Sequence, residues 1–262
     1  MHRFAAALAA LACLFVSACG QGAQAPAERI AAATPAPPPS EPIDAKNFNA
    51  EQQQDIRAVV RDYLTRDPSV LEEALDALAA RKEAARRREL ETDPRSFAVG
   101  PANASVTVVE FFDYRCPHCV EALSWVMDTM RAHPEIRFVF RELPILTAQS
   151  AEASRAAIAS IKQNKYLPFH RALMSHRGDL DSGAIDMLAR QNGIDVARMR
   201  RDMADPAIED ILSRNYELAS EASVQGTPAF LINGVWIKGF SNPEQMNRDF
   251  QNAIRPAPQA QR

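Results

Sequence analysis

Val106-Thr107-Val108-Val109-Glu110-Phe111-Phe112-Asp113-Tyr114-Arg115-Cys116-Pro117-His118-Cys119 is the stretch on which the reading of this chain turns. The largely apolar run Val106 to Phe112 reads as a buried strand, and the stretch after the cysteines, Val120 to Met130, is helix-competent. A Cys-x-x-Cys at a strand-to-helix junction sets its first sulfur at a helix N-terminus. Unpaired backbone N–H groups and the positive end of the helix dipole favour a thiolate there. The pattern therefore points to redox chemistry of thiols.

The chain has 262 residues and four cysteines, at positions 13, 19, 116 and 119. The first two lie in an expected export signal. Met1-His2-Arg3 is a short basic start, and Phe4 to Val16 is an apolar core too short to span a membrane comfortably. Val16-Ser17-Ala18-Cys19-Gly20 follows, similar to a bacterial lipoprotein box, in which Cys19 becomes the lipidated first residue of the mature chain. An ordinary secretory signal, cut after Ala18 or near Ala25, is the alternative. Lipidation of Cys19 would leave Cys116 and Cys119 as the remaining thiols. Two cysteines so close in sequence cannot staple a fold, and they lack the second pair that a closed zinc site needs. No metal site is expected, and the scattered His133, His170 and His176 show no metal-ligand spacing. In an oxidising compartment such a pair is functional rather than structural.

Composition sets mild bounds. With 47% hydrophobic residues the chain can bury one substantial core plus an accessory region. The formal net charge is −3; residues 1–18 carry one charged side chain, Arg3, so their removal takes it to −4. Neither value suggests nucleic acid as a partner.

Residues 19–48 are rich in Ala and Pro, with the run Pro37-Pro38-Pro39, and read as an extended tether. Residues 49–92 read as helical. Ile56, Val59, Val60, Tyr63 and Leu64 make one apolar stripe, and Val70, Leu71, Ala74, Leu75 and Leu78 make another. Between them Asp67-Pro68 reads as an N-cap followed by Pro in the first turn. The basic run Arg81 to Arg88 suits a helix C-terminus. The stripes either pack on their own domain or form an oligomerisation stalk. Residues 93–257 read as an α/β domain, with 258–262 as a tail. Its order is strand, helix, parallel strand (Ile136 to Glu142), then a helical insertion over about 148–224 with breaks near Pro168, Gly178, Gly193 and Pro206. A hairpin around Asn233-Gly234 and a final helix, Pro243 to Ile254, complete it. This is the order of a thioredoxin-like fold with an inserted helical domain.

The segment from Val109 to Cys119, together with Gly226-Thr227-Pro228-Ala229-Phe230, resembles the DsbA-like thioredoxin-fold family. Arg57 to Leu78 and Leu143-Pro144-Ile145-Leu146, followed by Ser150-Ala151-Glu152, are similar to its ScsC-like branch. The resemblance covers about Asn49 to Ile254. It implies thiol-disulfide exchange with no cofactor beyond a redox-active Cys116–Cys119 disulfide, and N-terminal helices able to drive trimerisation. Cys116 is then the nucleophile and Cys119 the resolving thiol. His118 donates to, or charge-stabilises, the Cys116 thiolate; Arg115 adds positive potential or is simply solvated; Pro117 restrains the first helical turn. Pro228 is expected to be cis, with Thr227 offering backbone groups to an extended substrate. Glu110 is expected to relay a proton for Cys119, or else to be a hydrogen-bonded structural acid.

The functional expectation is an exported oxidoreductase that isomerises or reduces disulfides of unfolded or misfolded envelope proteins. It would sit in the bacterial periplasm, anchored through Cys19, with a membrane redox partner and a homo-oligomer formed through residues 49–90. The alternatives are a DsbA-type oxidase and a non-enzymatic protein holding Cu(I) at the thiol pair.

Overall fold

Strand β2 (Thr107–Phe112) is buried along its whole length, so its alternate side chains must serve two opposite cores. Val108 and Phe112 enter one, with Phe138, Phe140 and Phe230. Val109 and Phe111 enter the other, with Leu90, Val139, Leu218 and Leu231. The computed structural model describes residues 48–255; the signal, Cys19 and nearly all of the tether lie outside them, as does the tail.

Among the described residues a five-stranded sheet runs in the order β1-β3-β2-β4-β5. β3 (Arg137–Glu142) is parallel to β2, while β4 (Ala229–Ile232) and β5 (Val235–Lys238) form the antiparallel hairpin. Asn233 and Gly234 both have positive φ, 48° and 82°, the type I′ geometry that Asn-Gly favours. Sequence reading misses β1 (Phe97–Val99), a three-residue strand antiparallel to β3. It stops at Gly100, where φ is +98° and an added Cβ would sit 2.1 Å from the Ile136 carbonyl oxygen.

Helix α3 (Pro117–Ala132) leaves the active-site loop and packs Trp125 and Val126 against the sheet face that also carries α9 (Pro243–Ile254). The insertion comprises α4 (Ala148–Ile161), α5 (Tyr166–Ser175), α6 (Ser182–Gln191), α7 (Val196–Asp202) and α8 (Pro206–Glu221). Thr147, Asp181, Asp195 and Asp205 each accept a backbone N–H at a helix start, the capping these residue types favour. The first break falls at Lys162–Lys165, where Asn164 takes φ 56°. Pro168 lies instead in the first turn of α5, where its missing N–H costs nothing.

Helices α1 (Ala50–Arg66) and α2 (Ser69–Thr92) precede the domain. Asp67 proves to be the C-cap of α1, its N–H bonded to Tyr63 O. The following proline disfavours helical geometry at Asp67, so Pro68 takes the N-cap position of α2 without a side-chain cap bond. The basic run also does not end the helix, because α2 continues to Thr92 and its last turn holds no basic residue. The missing cation comes from β3. Arg141, fully buried, donates to the Glu89 and Leu90 carbonyls and to Asn215 Oδ1 (3.1 Å), and pairs with Asp93 (3.4 Å). Arg214 of α8 grips Glu89 through two 2.7 Å bonds. With Leu90 in the core, the end of α2 is built into the catalytic domain rather than lying outside it. By contrast α1 buries no residue, and Val59, Tyr63 and Leu75 are 67%, 54% and 64% exposed.

Candidate active site

The loop Asp113–Cys116 joins β2 to α3, and Cys116 is the N-cap of α3 with Pro117 in its first position. Both thiols are free. Cys116 is 5% exposed and Cys119 1%, so the first sulfur is the more accessible one, though only narrowly. The Cys116 thiol is pulled down to about 5, mainly by a hydrogen bond from the Cys119 thiol. The Thr227 hydroxyl and the backbone N–H groups of Cys119 and His118 add to this, against the penalty of burial. At neutral pH Cys116 is therefore a thiolate.

Burial pushes the Cys119 thiol far up, and its bond to Cys116 adds to the rise. Glu110 lies on the same sheet face, 4% exposed. Among the described residues no hydrogen-bond donor meets its carboxyl, which is at odds with a paired structural acid. Burial raises it to about 8, and the negative Cys116 sulfur adds to the rise. A neutral carboxylic acid beneath a thiolate and a thiol is equipped to hold or release one proton.

The Thr227–Pro228 bond is cis, and Thr227 O lies 3.1 Å from the Cys116 sulfur, in position to accept from its thiol form. The His118 imidazole does not face the sulfur as expected. It is exposed, with Nδ1 3.1 Å from Glu121 Oε2; the part of His118 that reaches Cys116 is its backbone N–H. Arg115 is half-buried and is not among the main groups that lower Cys116. Its guanidinium donates to Gly178 O at 2.7 Å, tying the active-site loop to the helical insertion.

Two features of the site go beyond sequence reading, which places Asp113 and Tyr114 at the rim without their partners. Asp113 is fully buried and binds backbone on both sides of the loop. Tyr114 OH meets His170 Nδ1 at 3.1 Å, and Tyr166 OH donates to Glu142. Burial drives His170 down to about 3 and Glu142 up to about 7. The partners sit in different elements, as far apart as Tyr114 and His170, so no local motif announces them. His133 and His176 pair separately, with Glu135 and with Asp179 O.

A thioredoxin-like sheet with a Cys-x-x-Cys at a helix start, facing a cis-proline under a helical insertion, defines a protein thiol-disulfide oxidoreductase. The chain belongs to the DSBA-like thioredoxin domain family, whose model matches residues 107–251. Residues 52–85 match the model of the copper resistance protein ScsC N-terminal domain. A thioredoxin-like oxidoreductase from Silicibacter pomeroyi is 36% identical, with TM-score 0.62 over 65% of this chain and 99% of that one. ScsC of Proteus mirabilis in a transitional conformation is 27% identical, with TM-score 0.60 over 79% and 97% of the two chains. The thiol-disulfide exchange protein alpha-DsbA2 of Wolbachia pipientis is 26% identical, with TM-score 0.60 over 65% and 94%. Among curated relatives, the Na(+)/H(+) antiporter NhaA 3 of Salinispora tropica is 30% identical over 168 residues, 63% of this chain. The chain spans about a quarter of the length of that relative and of its counterpart in Salinispora arenicola.

Proposed function

We propose that this oxidoreductase is exported, anchored through Cys19 and assembled through its N-terminal helices. In this reading it isomerises or reduces disulfides of unfolded or misfolded envelope proteins. The Cys116 thiolate attacks a client disulfide, forming a mixed disulfide and releasing one client thiolate. Isomerisation follows if that thiolate attacks another client disulfide and the client later returns Cys116 as thiolate, with no net electron transfer. Reduction follows if Cys119 attacks Cys116. The client leaves reduced, the pair becomes a disulfide, and a membrane dithiol partner must re-reduce it. Glu110 holds the Cys119 proton, and Thr227 with Pro228 flanks the client strand. A groove of about 650 Å³, lined by Pro144, Ile145, Tyr216 and Gln225 among others, opens beside that loop.

The observation that carries the isomerase reading is the apolar stripe of α1 and α2, which is left uncovered by the rest of the described chain. An assembly would cover it and set several thiol sites around one client. The test is light-scattering mass and refolding of scrambled ribonuclease, with residues 20–262 compared to a form lacking 49–80. The deletion stops before the turns of α2 that enter the core. An oligomer that becomes monomeric and loses isomerisation supports the reading; an unchanged mass refutes assembly through these helices.

The DsbA-type oxidase is the second reading, favoured by the low pKa of Cys116. Stabilising the reduced thiolate makes the disulfide a stronger oxidant. A monomer that oxidises reduced ribonuclease rapidly would select it. The copper-binding alternative gains no ligands from the ScsC-type match, since residues 52–85 contain no Cys, His or Met.

A further inference from the structure

We propose that a trough along α8 is a client subsite beside the thiol site, and that Tyr216 there selects an apolar side chain of the client. Beyond α2, four large apolar side chains stand exposed among the described residues: Ile145, Leu146, Met187 and Tyr216, at 39%, 50%, 41% and 62%. Ile145 and Tyr216 both line the groove of about 650 Å³ and a second cavity of about 350 Å³, and Leu146 follows Ile145 in the chain. The two cavities share Leu143, Pro144, Ile145 and Tyr216, so they adjoin and make one trough. Tyr216 borders the buried face of α8, four residues after Leu212 and three before Ala219. Exposed apolar side chains gathered in this way mark an interaction site.

One end of the trough meets the thiol site. Gln225 lines it two residues before Thr227, whose carbonyl oxygen is 3.1 Å from the Cys116 sulfur. On the β3–α4 side, Leu146 N donates to Asp113 Oδ2 at 3.0 Å, and the Asp113 carbonyl accepts from Cys116 N at 3.1 Å. The other end holds Arg155 and Glu209, paired at 2.9 Å. Glu217, the remaining charged residue of the lining, pairs with Arg214 at 2.8 Å. The trough therefore offers a ligand apolar contact and neutral hydroxyl or amide groups, and no unpaired charge. The chemistry at Cys116 names the occupant. A mixed disulfide fixes one client residue at the mouth of the trough, so the residues flanking it in the client chain lie along the surfaces that border Cys116. A client side chain seated against Ile145 and Tyr216 loses water that a polar one would keep. The proposal rests on the reading that Cys116 acts on protein disulfides.

The test uses the full chain in its dithiol form and peptides whose single cysteine carries thionitrobenzoate. The Cys116 thiolate attacks the peptide sulfur, a Cys116–peptide disulfide forms, and coloured thionitrobenzoate leaves as thiolate. Each peptide has one Leu or one Ser, moved through the positions on either side of its cysteine. The Leu-to-Ser rate ratio is read within each protein, so a general change in thiol reactivity cancels. The expected ratio in the parent is about 10 at one or two positions, as burial of part of one apolar side chain implies. It should fall below about 2 in Tyr216→Ser. Met187→Ser removes an exposed apolar side chain of α6 outside the trough and should keep the parent's ratio. A parent ratio near about 1 at every position overturns the proposal. So does a ratio that survives Tyr216→Ser, or one that falls equally in Met187→Ser. A preference that emerges only when Val59→Asp and Leu75→Asp break the assembly would mean that a second copy fills the trough, and also overturns it. A parent that is alkylated at Cys116 by iodoacetamide but reacts with none of the peptides would instead overturn the reading of Cys116 as acting on protein disulfides.

Discussion

Glu110 and His170 are both buried ionisable side chains of one core, and they respond to pH in opposite senses. Glu110 is raised from 4.5 to about 8. The folded state therefore holds a proton that the unfolded chain has lost, and its contribution to stability declines as pH rises from about 4.5 to 8. Glu110→Gln should be more stable than the parent at pH 8.5 in urea titration, while its client release slows for lack of a proton acceptor. His170 is lowered from 6.5 to about 3, so stability declines as pH falls from about 6.5 toward 3. His170→Gln should flatten that acid limb in thermal scans between pH 6.5 and 4; an unchanged limb would count against the neutral, buried imidazole. Absorbance of the Cys116 thiolate at 240 nm should titrate near pH 5. At this scale sequence reading reaches what a local motif encodes: Cys116, Cys119, Glu110 on the leading strand, and Thr227-Pro228. It places Asp113 and Tyr114 at the rim but does not reach their contacts or His170, because the partners Leu146 and His170 come from other elements.

Among elements, the readable ones carry their own signals. The parallel strands are apolar, the hairpin has Asn-Gly, and Asp205-Pro206 opens α8. β1 is too short for a periodicity and is defined by its pairing with β3. The end of α2 misleads for a related reason: the charge that caps it, Arg141, belongs to a strand. Arg141→Met would leave the Glu89 and Leu90 carbonyls uncapped and Asp93 short of one cationic partner. A loss of about 3–5 kcal/mol is expected, as for breaking a buried ion pair from one side, measured by denaturant midpoint at constant m-value. A loss under about 1 kcal/mol would mean that Arg95 alone compensates Asp93.

For the whole molecule, the element order and four of the five strands follow from sequence. Whether the stripes pack on the domain does not, since an amphipathic pattern records that a face needs cover without naming what covers it. The structure leaves Val59 and Leu75 largely exposed. If the proposed assembly and isomerase activity hold, the double variant Val59→Asp, Leu75→Asp should dissociate the assembly and cut ribonuclease isomerisation at least about tenfold. Its Cys116 alkylation rate should match the parent, because neither residue touches the site. Retained mass in light scattering would count against assembly through this face.

α2 runs unbroken for 24 residues, about 36 Å at 1.5 Å per residue, and its far end is clamped to β3 by Arg141 and to α8 by Arg214. Such a strut fixes reach. The thiol site stands off from the Asp67-Pro68 joint by a set distance and in a set direction, so any swing of the catalytic face must originate at that joint. Lengthening α2 by one residue within its exposed half would rotate the face by about 100° while barely changing its height, turning the sulfurs to a new bearing relative to α1.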